Sequence, residues 1–211
     1  MIDSIRERTD AKLTRTAAFI VLFLALGALA GVGSKYLDTL AFNTLPELMQ
    51  ILDFSNFLGR PAVWIFVALL ISCFSGSPFR AAWYVFAFFV GMVGCYYLYS
   101  KYGAGFYPAD YARIWYAFTA LSPVLAFLCW FAKGEGIPSI IISSCILAVM
   151  INCTFSYGAI YVHLNGILEL LLLSGTLMVL KRKQIASMVI LGTALAILVH
   201  GVPLPVQIWL Q

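Results

Sequence analysis

Apolar stretches about as long as a bilayer is thick recur along this 211-residue chain, and charged residues fall almost entirely between them. A helix needs about 20 residues to cross about 30 Å of hydrocarbon, where lipid tails solvate apolar side chains directly. A soluble fold of this size has too little interior for a chain that is 63% hydrophobic and 10% charged. Ordinary soluble domains carry about 25% charged residues. The sequence therefore predicts an all-α, polytopic transmembrane helix bundle, built as a single integral membrane domain over 1–211.

About seven helices are expected, over 16–33, 61–74, 78–99, 112–132, 138–156, 159–180 and 184–200. The second is short and extends backwards through Phe57 at most. Pro61, Pro78 and Pro138 each open an apolar run, where a missing N–H costs nothing. Ser77 precedes Pro78 as an N-cap. Pro123 interrupts the fourth helix and frees a carbonyl, while Pro203 and Pro205 stop the seventh. The polar start gives way to an apolar run of about 18 residues, long enough to stay as an anchor rather than a cleaved signal.

Charge supports this count. With seven crossings and the N-terminus inside, the inner segments hold Arg6, Arg8, Lys12, Arg15, Arg80, Lys133, Lys181, Arg182 and Lys183; the outer ones hold Lys35, Arg60, Lys101 and Arg113. Nine against four follows the positive-inside rule. It sets the N-terminus inside and leaves an uncharged C-terminal tail exported. The net charge of +4 is thus topological and does not predict nucleic-acid binding.

The segment 37–58 is not expected to span. Thr44 and Glu47 fit a capping box, and Leu45, Leu48, Met49 and Leu52 fit one apolar stripe. They predict a short amphipathic surface helix, with a re-entrant segment as the alternative.

Glu169 interrupts the run 167–173. Twelve residues of helix, about 18 Å, would separate it from Lys181, near the bilayer midplane. A carboxylate there has to be neutral or partnered, and no basic partner is evident from the sequence. Tyr161, Asn165 and Glu169 are spaced i, i+4, i+8, and Asn152 and Ser156 repeat i, i+4 on the helix before. The five residues are candidates for a ligand-binding stripe on helices five and six, open to the outside and suited to a small-molecule or cationic ligand. The same spacing also suits interhelical hydrogen bonding alone. Tyr96, Tyr97, Tyr99, Tyr102, Phe106, Tyr107, Tyr111, Trp115 and Tyr116 fit an interfacial aromatic belt, or a vestibule for a cation.

His163 and His200 lack a third ligand at metal-binding spacing, so no cofactor is expected. Cys73, Cys95, Cys129, Cys145 and Cys153 lie in apolar runs without a C-x-x-C pair and read as small hydrophobes. No catalytic motif is present, and the sequence leans away from an enzyme.

Short runs, among them Ser77-Pro78-Phe79-Arg80-Ala81-Ala82, Tyr96-Tyr97-Leu98-Tyr99-Ser100 and Leu168-Glu169-Leu170-Leu171, carry a resemblance over 61–183. The chain resembles small bacterial polytopic membrane proteins that share a domain of unknown function. This implies a bacterial membrane and no particular activity. In length it is also similar to the substrate-binding subunits of energy-coupling-factor vitamin transporters, which usually have six helices. Two functions follow: binding or transport of a small molecule or ion, or a non-catalytic interaction or sensor subunit acting in an oligomer or beside a partner membrane subunit.

Overall fold

The computed structural model describes residues 5–9, 13–158, 160–180 and 185–200. The chain runs α1 (Leu13–Thr39), a 3-10 turn (Phe42–Thr44), α2 (Glu47–Ile51), α3 (Phe54–Gly59), α4 (Pro61–Phe74) and α5 (Pro78–Tyr102). It continues with α6 (Ala109–Trp130), a second 3-10 turn (Phe131–Lys133), α7 (Ile137–Thr154), strands β1 (Phe155–Tyr157) and β2 (Val162–Leu164), α8 (Ile167–Leu180) and α9 (Ile185–His200). Among the described residues, four helices (α1, α5, α6 with its 3-10 turn, and α7) are long and apolar enough to cross a membrane. The apolar helices α4, α8 and α9 are shorter. At 14 residues each, α4 and α8 reach about 21 Å.

Local chemistry sets the boundaries. Pro61, Pro78 and Pro138 each stand in a first turn, and the Ser77 hydroxyl accepts a hydrogen bond from the Arg80 N–H. Pro123 has no N–H for the Thr119 carbonyl. Ser122 Oγ donates to that carbonyl instead, at 2.8 Å, and α6 runs on through the proline.

Two apolar clusters share α4. Trp64 and Ile71 pack with Tyr84, Phe88 and Met92 of α5 and Ala126 of α6, while Leu69 and Cys73 pack with Leu147, Met150, Leu173 and Leu180. A helix used on both faces has to be apolar all round, as α4 is. The outer surfaces stay apolar too: Leu29, Val124, Ile190 and Leu198 are exposed. In water such a surface is a liability, whereas a lipid bilayer suits it.

Connections alternate between two ends. At one, Arg60 reaches Glu169 and Tyr111 reaches the Gly59 carbonyl, gathering the α1–α4, α5–α6 and α7–α8 connections. At the other, Arg6 donates to the carbonyls of Trp130 and Cys73, Thr9 N to Gly76, and Glu135 N to Ile5. The two are the Arg60 end and the Arg6 end.

Three expectations need correction. The helix expected over 159–180 is a hairpin followed by α8, with Phe155 opposite Leu164 and Tyr157 opposite Val162. The preceding helix ends at Thr154, so Ser156 lies on β1. The capping box does not form: Pro46 is the N-cap of α2 without a side-chain bond, and Thr44 Oγ1 donates to the Ala41 carbonyl. Of the expected stripe, Leu45 is buried, Met49 and Leu52 are half-buried and Leu48 is exposed. Proline at 46 presets a helix start and leaves Thr44 outside it. The expected starts at Ala159 and Gln184, the basic run Lys181–Lys183 and the tail with Pro203 and Pro205 lie outside the described residues.

Candidate functional site: a buried ion pair at the Arg60 end

Glu169 is the third residue of α8, in its first turn. The N–H groups of a first turn have no partners inside the helix, and they make that end electropositive. Glu169 is 1% exposed, and its Oε1 lies 2.7 Å from Arg60 Nη1. Helix polarity and guanidinium both offset the cost of taking the carboxylate out of water.

Arg60 is the N-cap of α4, placed there by Pro61 at the following position. Its side chain is 36% exposed, and Nη2 lies 3.4 Å from Asp53 Oδ2. Asp53 precedes α3 in the left-handed region, at φ 50°, and its Oδ1 accepts from Asn56 at 2.8 Å. Two carboxylates thus share one guanidinium, Glu169 from the buried side and Asp53 from the exposed side.

The surrounding bonds tie in the hairpin. Asn165 Oδ1 accepts from Ser156 Oγ at 2.7 Å, its Nδ2 donates to the Cys153 carbonyl at 3.0 Å, and its own carbonyl accepts from Arg60 at 3.3 Å. Thr154 Oγ1 donates to the Met150 carbonyl and, at 3.3 Å, to that of Glu169. Glu169 Oε2 packs so closely on Gly166 that any Cβ there would displace it.

Of the five candidates, the fold brings together Glu169, Asn165 and Ser156. Asn152 looks elsewhere: its Nδ2 donates to the Ala148 and Ala196 carbonyls, and its Oδ1 accepts from Tyr157. Burial pushes the Tyr157 phenol up from its ordinary value. Tyr161 stands apart in the exposed turn of the hairpin, with its ring against Gly158. The shared helical face expected for Tyr161, Asn165 and Glu169 does not exist, because only Glu169 of the three is helical.

Sequence reading missed Arg60 as the partner of Glu169. The two are 109 residues apart, and no periodicity links them. Arg60 was expected in an outer connection and Glu169 deep inside a helix, so their meeting depends on the later helix start at Ile167.

A cleft is lined by Leu58 and Gly59, the two residues before Arg60, and by Trp64, Tyr97, Tyr111 and Trp115. Its volume is about 30 Å³, room for about two waters. His163 is exposed on β2, the His200 side chain is outside the described residues, and no disulfide joins the five cysteines. Among the described residues no group of three His, Cys, Asp or Glu side chains is placed to hold a metal.

The fold and site define a helical bundle suited to a bilayer, with a half-buried, shared ion pair at one end. No family model, no curated protein and no solved structure matches the chain.

Proposed function

We propose that this chain is a multi-pass membrane protein that binds, and passes on, a small cation at its Arg60 end, with Glu169, Arg60 and Asp53 as the charged node. The carrying observation is the sharing of one guanidinium by two carboxylates. Two negative charges against one positive leave the node at −1, so the next charge it attracts is positive. The exposed part of Arg60 and the long contact to Asp53 give solvent one route in. Asn165 and Ser156 hold the hairpin against the node, while Tyr161 and Asn152 stand outside it. In this reading the basic Arg6 end faces the cytoplasm of a bacterial cell and the Arg60 end faces out.

A second reading has one observation in its favour. The polar side chains of Asn165, Ser156, Thr154 and Asn152 are all bonded within the bundle. A non-catalytic interaction or sensor subunit needs no more of them than that.

Thermal stability of the purified protein in detergent separates the two. We expect saturable stabilisation by sodium or potassium chloride relative to N-methylglucamine chloride at equal ionic strength. It should disappear in Glu169→Gln and weaken in Asp53→Asn while both variants purify as folded protein. A wild type indifferent to the small cations, or a Gln variant with the full response, would favour the structural reading.

A further inference from the structure

The aromatic cleft carries a second, independent reading. Tyr97 on α5 is 3% exposed, and its hydroxyl has no hydrogen-bond partner among the described residues. A buried hydroxyl without a partner is disfavoured, so its presence in a well-packed wall points to a group that completes it. Three polar groups of the same cleft already have partners. Trp64 Nε1 donates to the Leu58 carbonyl at 2.8 Å, Tyr96 Oη to Asp38 at 2.6 Å, and Tyr111 Oη to the Gly59 carbonyl at 3.4 Å. Gly59, Tyr96, Tyr111 and Trp115 remain partly exposed at the rim.

We propose that this cleft recognises a primary ammonium group at the end of a larger ligand. Size is the first constraint: about 30 Å³ is far below the roughly 300 Å³ that encloses a whole drug-sized molecule. The cleft therefore takes a terminal group while the rest of the ligand stays outside. Its walls are the second constraint. The faces of Trp64, Trp115, Tyr97 and Tyr111 are electron-rich and attract a cation, and they repel a carboxylate or phosphate. The third is the Tyr97 oxygen, which accepts an N–H that a primary ammonium has and a quaternary one lacks. The protein shows the same chemistry nearby, with Lys35 Nζ 5.3 Å from the centre of the Tyr96 ring. The ammonium arrives either on an ethanolamine lipid headgroup or on a free amine, since the recognised chemistry is identical.

The test is a titration of the full chain in detergent with ethylammonium chloride, against tetramethylammonium chloride and sodium chloride at equal ionic strength. Tryptophan fluorescence reports on Trp64 and Trp115, and thermal stability gives a second readout. A saturable response to ethylammonium is expected, at least tenfold weaker for tetramethylammonium. Tyr97→Phe keeps the ring and should weaken the response at least tenfold. Trp115→Leu, at the rim, should also weaken it and serves if Tyr97→Phe fails to fold. The fluorescence response should persist with saturating sodium chloride present throughout, which keeps the ion-pair node occupied, so failure here is distinct from failure of the ion-pair reading. Nanodiscs separate the sources. Ethanolamine lipid blocks the response if the headgroup is the natural occupant; choline lipid preserves it in either case. The absence of any saturable response in detergent and in choline-lipid discs would overturn the proposal. So would an equal response in folded Tyr97→Phe, or tetramethylammonium binding as well as ethylammonium.

Discussion

At the scale of single residues, the burial of Glu169 depends on two neighbours: the guanidinium it faces and the glycine it leans on. Gly166 has no left-handed φ that would penalise alanine, so Gly166→Ala acts through sterics alone. Its Cβ would sit on Glu169 Oε2 and 3.6 Å from Arg60 Nη1. Disturbing a charged, buried hydrogen bond in this way should cost about 1–3 kcal/mol, read from detergent unfolding. The loss should shrink in a Glu169→Ala background, because the displaced oxygen is gone; equal losses in both backgrounds would contradict the contact. That Glu169 is exceptional was legible in the sequence, since an acid in an apolar run stands out. Its partner was not. Arg60 reads locally as one more loop charge, and only the three-dimensional meeting of α4 and α8 gives it a role.

Among the elements, the long apolar helices were readable because hydrophobic length and proline placement act within a single segment. The hairpin was not, because apolar content over 159–180 masked a change of backbone. Tyr157-Gly158 and Asn165-Gly166 bracket only a few residues, and Ile160, Tyr161 and Val162 favour extended structure over helix. Helix packing gives a sharper expectation. A Cβ on Gly91 of α5 would strike the Leu24 carbonyl of α1, and one on Gly27 the Phe88 carbonyl, so these backbones touch. Gly94, one turn further along α5, faces open space. Gly91→Val should therefore destabilise by about 1–3 kcal/mol through overpacking. Gly94→Val, measured in the same unfolding assay, should be close to neutral. Equal effects would mean that α1 and α5 do not pack through these glycines.

The whole molecule has two chemically different ends, and its halves meet on α4. The Arg6 end is fastened by Arg6 against Trp130, with the guanidinium 4.4 Å from the ring centre. The Arg60 end is fastened by the shared ion pair and presents the hairpin tip, where Ile160 is 97% exposed. If the basic end is cytoplasmic, single cysteines in a cysteine-free background should divide accordingly in intact cells. Ile160→Cys should react with an impermeant maleimide, and Glu135→Cys should react only after permeabilisation. The reverse pattern would invert the orientation.

The central claim is that Arg60 and Glu169 act as one unit, joining the segment that enters α4 to the start of α8. A double-mutant cycle on unfolding in detergent tests it directly, with Arg60→Leu, Glu169→Leu and the pair together. Arg60→Leu alone strands a buried carboxylate and should cost up to about 3 kcal/mol, with water at the exposed side of the pair keeping it below the fully buried case. The double variant should be more stable than Arg60→Leu, with a coupling of about 1–3 kcal/mol. Single effects that add to within about 0.5 kcal/mol would mean that the two side chains do not interact, and would contradict this account.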